Sequence, residues 1–179
     1  MQTTNIIRTP FIVTLTLAAV MLCSSIATAQ AATPNWAYTD DKAPVSPKAF
    51  YDINVTTPET MRNFLWVIDE TYNLLIAKGV PACKIRFVVS LRGASVMYAT
   101  SDFSKTDVDG TDLGDQIRGF LTSLAGKGVR IEACDISLDW VGVDAARLVS
   151  EVAVIDNAFA AAIFYQRRGF ATVPITELP

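Results

Sequence analysis

The sequence predicts an α/β domain of three layers, helices packed on both faces of a mainly parallel five-stranded sheet. Two observations carry this. Short apolar strand-like runs alternate in order with segments of helical periodicity, which is the pattern of a wound sheet. The run Lys84-Ile-Arg-Phe-Val-Val-Ser90 is rich in β-branched residues and reads as a strand buried on both faces, as parallel strands are. There are no internal repeats.

Taken in order, Lys48 to Val55 has apolar residues spaced as in a first strand. Thr57-Pro58-Glu59 then supplies an N-cap, a proline at the first helical position and an early acid. Met61, Phe64, Leu65, Ile68, Tyr72, Leu75 and Ile76 follow at helical spacing, and Gly79 ends the helix. The second strand leaves through Leu91-Arg92-Gly93-Ala94 into a predicted helix reaching Tyr98, and Ser101 to Asp115 reads as a polar loop. A helix with Ile117, Phe120, Leu121 and Leu124 on one face meets Gly126-Lys-Gly128, which launches the third strand, Val129 to Cys134. The fourth strand is Val152 to Ile155. A helix capped by Asp156 or Asn157 and stopped by Gly169 leads to the fifth, Phe170 to Val173.

Ahead of this domain, residues 1–29 read as an export signal: Arg8 gives a weakly positive start, Phe11 to Cys23 is apolar except for two threonines, and Ala27-Thr28-Ala29 fits a small-x-small cleavage site. The apolar run is shorter than the ~20 residues a membrane span needs. Leu22 before Cys23 is too bulky for lipid-anchor processing. Residues 30–47, with Pro34, Pro44 and Pro47, read as an extended arm or linker, which Trp36 and Tyr38 can anchor. Residues 48–179 then form the folded domain, and the protein is expected in the periplasm or secreted.

Removing Arg8 with the signal leaves 14 of the 15 basic residues against 18 acidic ones, a net charge of −4. That balance argues against nucleic acid or an anionic membrane surface as the partner. The remaining 150 of 179 residues suffice for one core without disulfides or metal. The count of zero histidines removes Ser-His-Asp triads, Cys-His pairs and imidazole metal ligands together.

Against that background Cys134 stands out. It closes the third strand, just before the polar turn Asp135-Ile136-Ser137, and in parallel α/β sheets reactive groups collect where strands end. Without an imidazole, its thiol depends on helix-terminal N–H groups or a nearby arginine for activation. Arg92 and Gly93 leave the second strand at the same edge. Arg92 there either holds an anion or thiolate or is an ordinary surface charge. Asp135, beside the thiol, raises its pKa by like charge. Cys134 is thus the candidate catalytic residue, with Arg92, Gly93 and Asp135 as candidate binding residues, and the competing reading is a buried, inert thiol. An accessible thiol, more reactive than Cys83, is the expectation for the first reading.

The order of these features resembles the DsrE/DsrF-like family of small α/β proteins. It rests on Phe87-Val-Val-Ser-Leu-Arg-Gly93, on Leu124-Ala-Gly-Lys-Gly-Val-Arg-Ile-Glu-Ala-Cys134, and on Ala161-Ala-Ile-Phe-Tyr-Gln-Arg-Arg-Gly-Phe170, spanning roughly Lys48 to Ile175. The resemblance implies the fold given above, and it implies that Cys134 matches the sulfur-accepting cysteine of sulfur-relay members. It also implies a homo-oligomer, a trimer or hexamer. Phe159, Ile163, Phe164 and Tyr165, crowded on one helix in a chain 51% hydrophobic, point the same way.

Other patterns have plainer readings. Cys83 before the second strand and Cys134 after the third lie at opposite ends of parallel strands, some ~20 Å apart, beyond disulfide reach. Asp107-Val-Asp-Gly-Thr-Asp112 lacks EF-hand spacing and reads as an acidic loop, so no metal or cofactor is expected. Asn54-Val-Thr56 is a sequon at a strand end, and the cations of Gln166-Arg-Arg-Gly169 complement a helix dipole. Two functions remain open. One is an exported sulfur carrier using Cys134, with a small sulfur compound or a sulfur-donor protein as partner. The other is a non-catalytic oligomeric binding or assembly module.

Overall fold

Strand β1 (Lys48–Asn54) buries Ala49, Phe50, Tyr51 and Ile53, so both its faces are covered, and feeds helix α1 (Pro58–Ala77) through Thr57, whose side-chain oxygen accepts the Thr60 N–H. The computed structural model describes residues 43–103 and 112–177. Met61, Leu65, Ile68 and Tyr72 form the buried stripe of α1, and Gly79, at φ 85°, reverses the chain as a left-handed C-terminal glycine should. A 3-10 turn at Ala82–Lys84 precedes β2 (Arg86–Leu91). After it come α2 (Leu113–Gly126), β3 (Arg130–Cys134), α3 (Asp135–Val141), β4 (Val152–Ile155), α4 (Ala158–Arg167) and β5 (Ala171–Thr176).

The strands lie in the order β4-β3-β2-β1-β5, and every pairing is parallel. The five-stranded parallel α/β sheet is therefore as the sequence predicts. From β1 to β4 the chain steps in one direction, so right-handed crossovers put α1 and α2 on one face; the return from β4 to β5 carries α4 across the other. The first face holds the main core, with Tyr51, Ile53, Phe87, Val89, Leu91 and Ile131 packed against α1 and α2. Tyr72 of α1 meets the edge of Phe87 at 6.0 Å between ring centres. The second face is covered thinly. Of α4 only Ala158 is buried, whereas Phe159, Ile163 and Phe164 are each 63% exposed.

Several local expectations change. Gly93–Ala99 winds as a 3-10 helix rather than an α-helix: Ser95 Oγ donates to the Ile53 or Arg92 carbonyl and accepts the Val55 N–H, pinning the segment to the end of β1. Asp135–Ser137 is not a free turn but the first turn of α3. The predicted loop ends earlier, because α2 begins at Leu113, a buried residue. β5 runs on to Thr176 through Pro174, which an edge strand tolerates because one row of its N–H groups needs no partner. The signal, most of the arm and residues 104–111 of the acidic loop lie outside the described residues.

Candidate functional site

The C-terminal edge of the sheet gathers the residues the sequence singled out. Leu91 pairs with Ala133, so the chain leaves β2 beside the point where β3 ends in Cys134. The Gly93 N–H donates to Ser137 Oγ at 2.9 Å, tying that exit to α3. Gly93 has φ 58°, and a Cβ there would stand 2.2 Å from Asn54 Oδ1. Only glycine fits both the left-handed backbone and the contact. Its role is thus to let two chain exits approach beside the thiol.

Cys134 is 3% exposed, so the expected accessible thiol is instead buried, beneath the start of α4. Its Sγ accepts the backbone N–H of Ala158 at 3.4 Å. Asn157 caps the same helix, its Oδ1 accepting from Phe159 N at 2.8 Å and Ala160 N at 3.3 Å. Together Asn157 and Cys134 satisfy three N–H groups that the first turn of a helix leaves unpaired. A sulfur at that point lies at the positive end of the helix dipole.

Arg92 does not reach for the thiol. Its Nε and Nη2 donate to Asp52 at 2.7 and 3.2 Å, a two-pronged pair, and its guanidinium lies 5.1 Å from the centre of the Phe159 ring. Arg92 therefore bridges β1, β2 and the first turn of α4, clasping the helix that covers Cys134. Asp135, the first residue of α3, is exposed, where water screens its charge. Cys83 is a free exposed thiol and Cys134 a free buried one, in keeping with strand ends at opposite edges of the sheet.

One further group was not anticipated. On the face under α4, Asp52, Ser90 and Glu132 sit side by side in register across β1, β2 and β3. Glu132 is 1% exposed and ion-paired to Arg130, and Tyr165 of α4 donates to its Oε1 at 2.6 Å. Its Oε2 and the Ser90 Oγ have no hydrogen-bond partner among the described residues. Burial and the hydrogen bond to the Glu132 carboxylate, which holds the phenol proton, push the Tyr165 pKa up to about 12. The signal in the sequence was Glu132 itself, an acid two residues before Cys134 and two after Arg130, and so on the same face of the strand as both. Among the described residues no group of three His, Cys, Asp or Glu side chains forms a metal cage.

Comparison with known proteins gives the fold and little more. No family model matches the sequence, and no curated protein matches it. Among solved structures, a protein of unknown function, MTH1491 from Methanobacterium thermoautotrophicum, superposes with a TM-score of 0.53 at 21% identity, covering 72% of this chain and 99% of its own. The ychN protein from E. coli gives a TM-score of 0.45 at 12% identity, covering 73% and 99%. The chain thus shares the α/β fold of MTH1491, and a fold leaves the chemistry of the site to be argued from its residues.

Proposed function

We propose that this protein is an exported sulfur carrier in which Cys134 accepts sulfane sulfur as a persulfide. The observation that carries the reading is the hydrogen bond from Ala158 N–H to Cys134 Sγ, which sets the sulfur at the start of α4 and at the sheet edge in a chain without histidine. The Cys134 thiolate attacks the outer sulfur of thiosulfate or of a donor persulfide. The S–S bond of the donor breaks, sulfite or the donor thiolate leaves with the electron pair, and Cys134 keeps the added sulfur. No external oxidant is required. Because Cys134 is 3% exposed, a donor reaches it when the first turn of α4 lifts, and that helix buries only Ala158.

The test is cyanolysis. Protein treated with thiosulfate and desalted should release thiocyanate with cyanide, Cys83→Ser should match it, and Cys134→Ser should release none. A second reading, a non-catalytic assembly module, is favoured by the same burial of Cys134 together with the exposed Phe159, Ile163 and Phe164. Thiocyanate release that is absent, or that survives Cys134→Ser, selects it. Export is tested by intact mass, which should place the mature N-terminus between Gln30 and Ala32.

A further inference from the structure

At the opposite edge of the sheet from Cys134 lies a cavity of about 820 Å³ whose lining includes Lys48, Arg86, Lys127, Arg130 and Arg168 and no acidic residue. This concentration of positive charge sits in a chain whose net charge is −3. Two of the five cations are matched, Lys127 by Asp69 at 2.6 Å and Arg130 by Glu132. Lys48 donates to the Arg168 carbonyl at 3.0 Å, and among the described residues no carboxylate pairs with Lys48, Arg86 or Arg168. Helix C-termini also meet this edge, and their dipoles account for Lys127 and Arg168. They do not account for Lys48 and Arg86, which open strands β1 and β2. Ile85, Phe87, Val88 and Phe170 supply an apolar wall beside the charges.

We infer that this cavity binds a small organic phosphate monoester, its phosphate held by Arg86, Arg168 and Lys48 and its planar or apolar body lying against Phe170. A phosphate monoester carries about −1.5 to −2 charges at neutral pH, which three unmatched cations can neutralise, and the planar guanidinium forks fit its oxygens two at a time. The volume falls in the ~300–1,000 Å³ range of small-ligand sites.

Cys83 lines the same cavity and is an exposed free thiol, so it reports occupancy directly. The experiment is calorimetric titration of the full chain with phenyl phosphate, phenol and inorganic phosphate, alongside alkylation of Cys83 and Cys134 followed by peptide mass spectrometry. The expected result is saturable binding of phenyl phosphate, weaker binding of inorganic phosphate and none of phenol. Arg86→Gln and Arg168→Gln should each weaken phenyl phosphate at least tenfold with unchanged thermal stability, and the ligand should slow labelling of Cys83 without slowing that of Cys134. No saturable binding, binding unaffected by either substitution, or a response only to a polyanion such as polyglutamate overturns the assignment.

Discussion

Replacing Asn157 by alanine removes the side chain whose Oδ1 accepts both the Phe159 and the Ala160 N–H groups, while leaving Cys134 and its Ala158 contact untouched. Loss of an asparagine N-cap costs about 1 kcal/mol, within a range of ~0.5–2 kcal/mol. The cost falls on the first turn of α4, a helix whose packing against the sheet is thin, so it acts on fraying of that turn more than on the core under α1 and α2. If alkylation of Cys134 proceeds through the frayed state, a loss of about 1 kcal/mol raises its rate about fivefold, and the full range gives ~2-fold to ~30-fold. Cys83, exposed at the other edge of the sheet, provides the control and should react at an unchanged rate. The assay is iodoacetamide labelling read peptide by peptide, with thermal melting on the same samples. A Cys134 rate that stays constant while the melting temperature falls would show that access does not depend on the α4 turn.

Four other substitutions or conditions follow from the same geometry. Gly93→Ala, at φ 58° and with a Cβ placed 2.2 Å from Asn54 Oδ1, should lower stability by more than ~1 kcal/mol in denaturant melts; a loss of a few tenths would show that the exit from β2 is not constrained as described. Tyr165→Phe removes the donor to a carboxylate that is 1% exposed and should cost about 1–3 kcal/mol by the same measurement, with a neutral result counting against the Tyr165–Glu132 bond. Tyr51, through burial, and Tyr165 both have pKa values raised to about 12, against the ordinary tyrosine value of 10.0. The folded state then holds the phenol protons more tightly than the unfolded chain. This stabilisation is fully present below pH 10 and is lost as the pH rises from 10 toward 12, so stability that is flat or increasing across that window would contradict it. Finally, light scattering is expected to give an oligomer mass for the wild-type chain and a smaller one for Phe164→Glu, since Phe164 is 63% exposed on α4, and a wild-type chain that is monomeric at micromolar concentration would remove that surface from the account.

How far these features were legible in the sequence follows from the range of the forces involved. Local signals carried the helices: Thr57-Pro58-Glu59 marks the start of α1 because capping chemistry is confined to a few adjacent residues, and Gly79 and Gly169 mark ends because a left-handed turn is a single-residue property. Short apolar, β-branched runs set the strands, and their regular exchange with helical segments the parallel sheet, though Pro174 concealed the length of β5. The location of Cys134 at the sheet edge also followed from pattern alone. Its burial did not, because the cover comes from Ala158, 24 residues later and across the sheet. The role of Arg92 stayed open between two readings for the same reason: its partner Asp52 lies 40 residues earlier on β1, and no local pattern announces a pair formed by strand register. The basic cavity is still less local, since its cations come from the starts of three strands and the ends of two helices, which only the completed fold brings together.

The measurement that tests the central claim most directly is peptide mass spectrometry of the native protein after exposure to thiosulfate or a low-mass persulfide, with iodoacetamide capping of the products. The account predicts a mass increase of one sulfur atom on the peptide containing Cys134 in preference to the peptide containing Cys83, and its disappearance after treatment with a reductant. Sulfur added to the exposed Cys83 alone, with Cys134 recovered unmodified, would contradict it and leave Cys134 as the buried cap of α4.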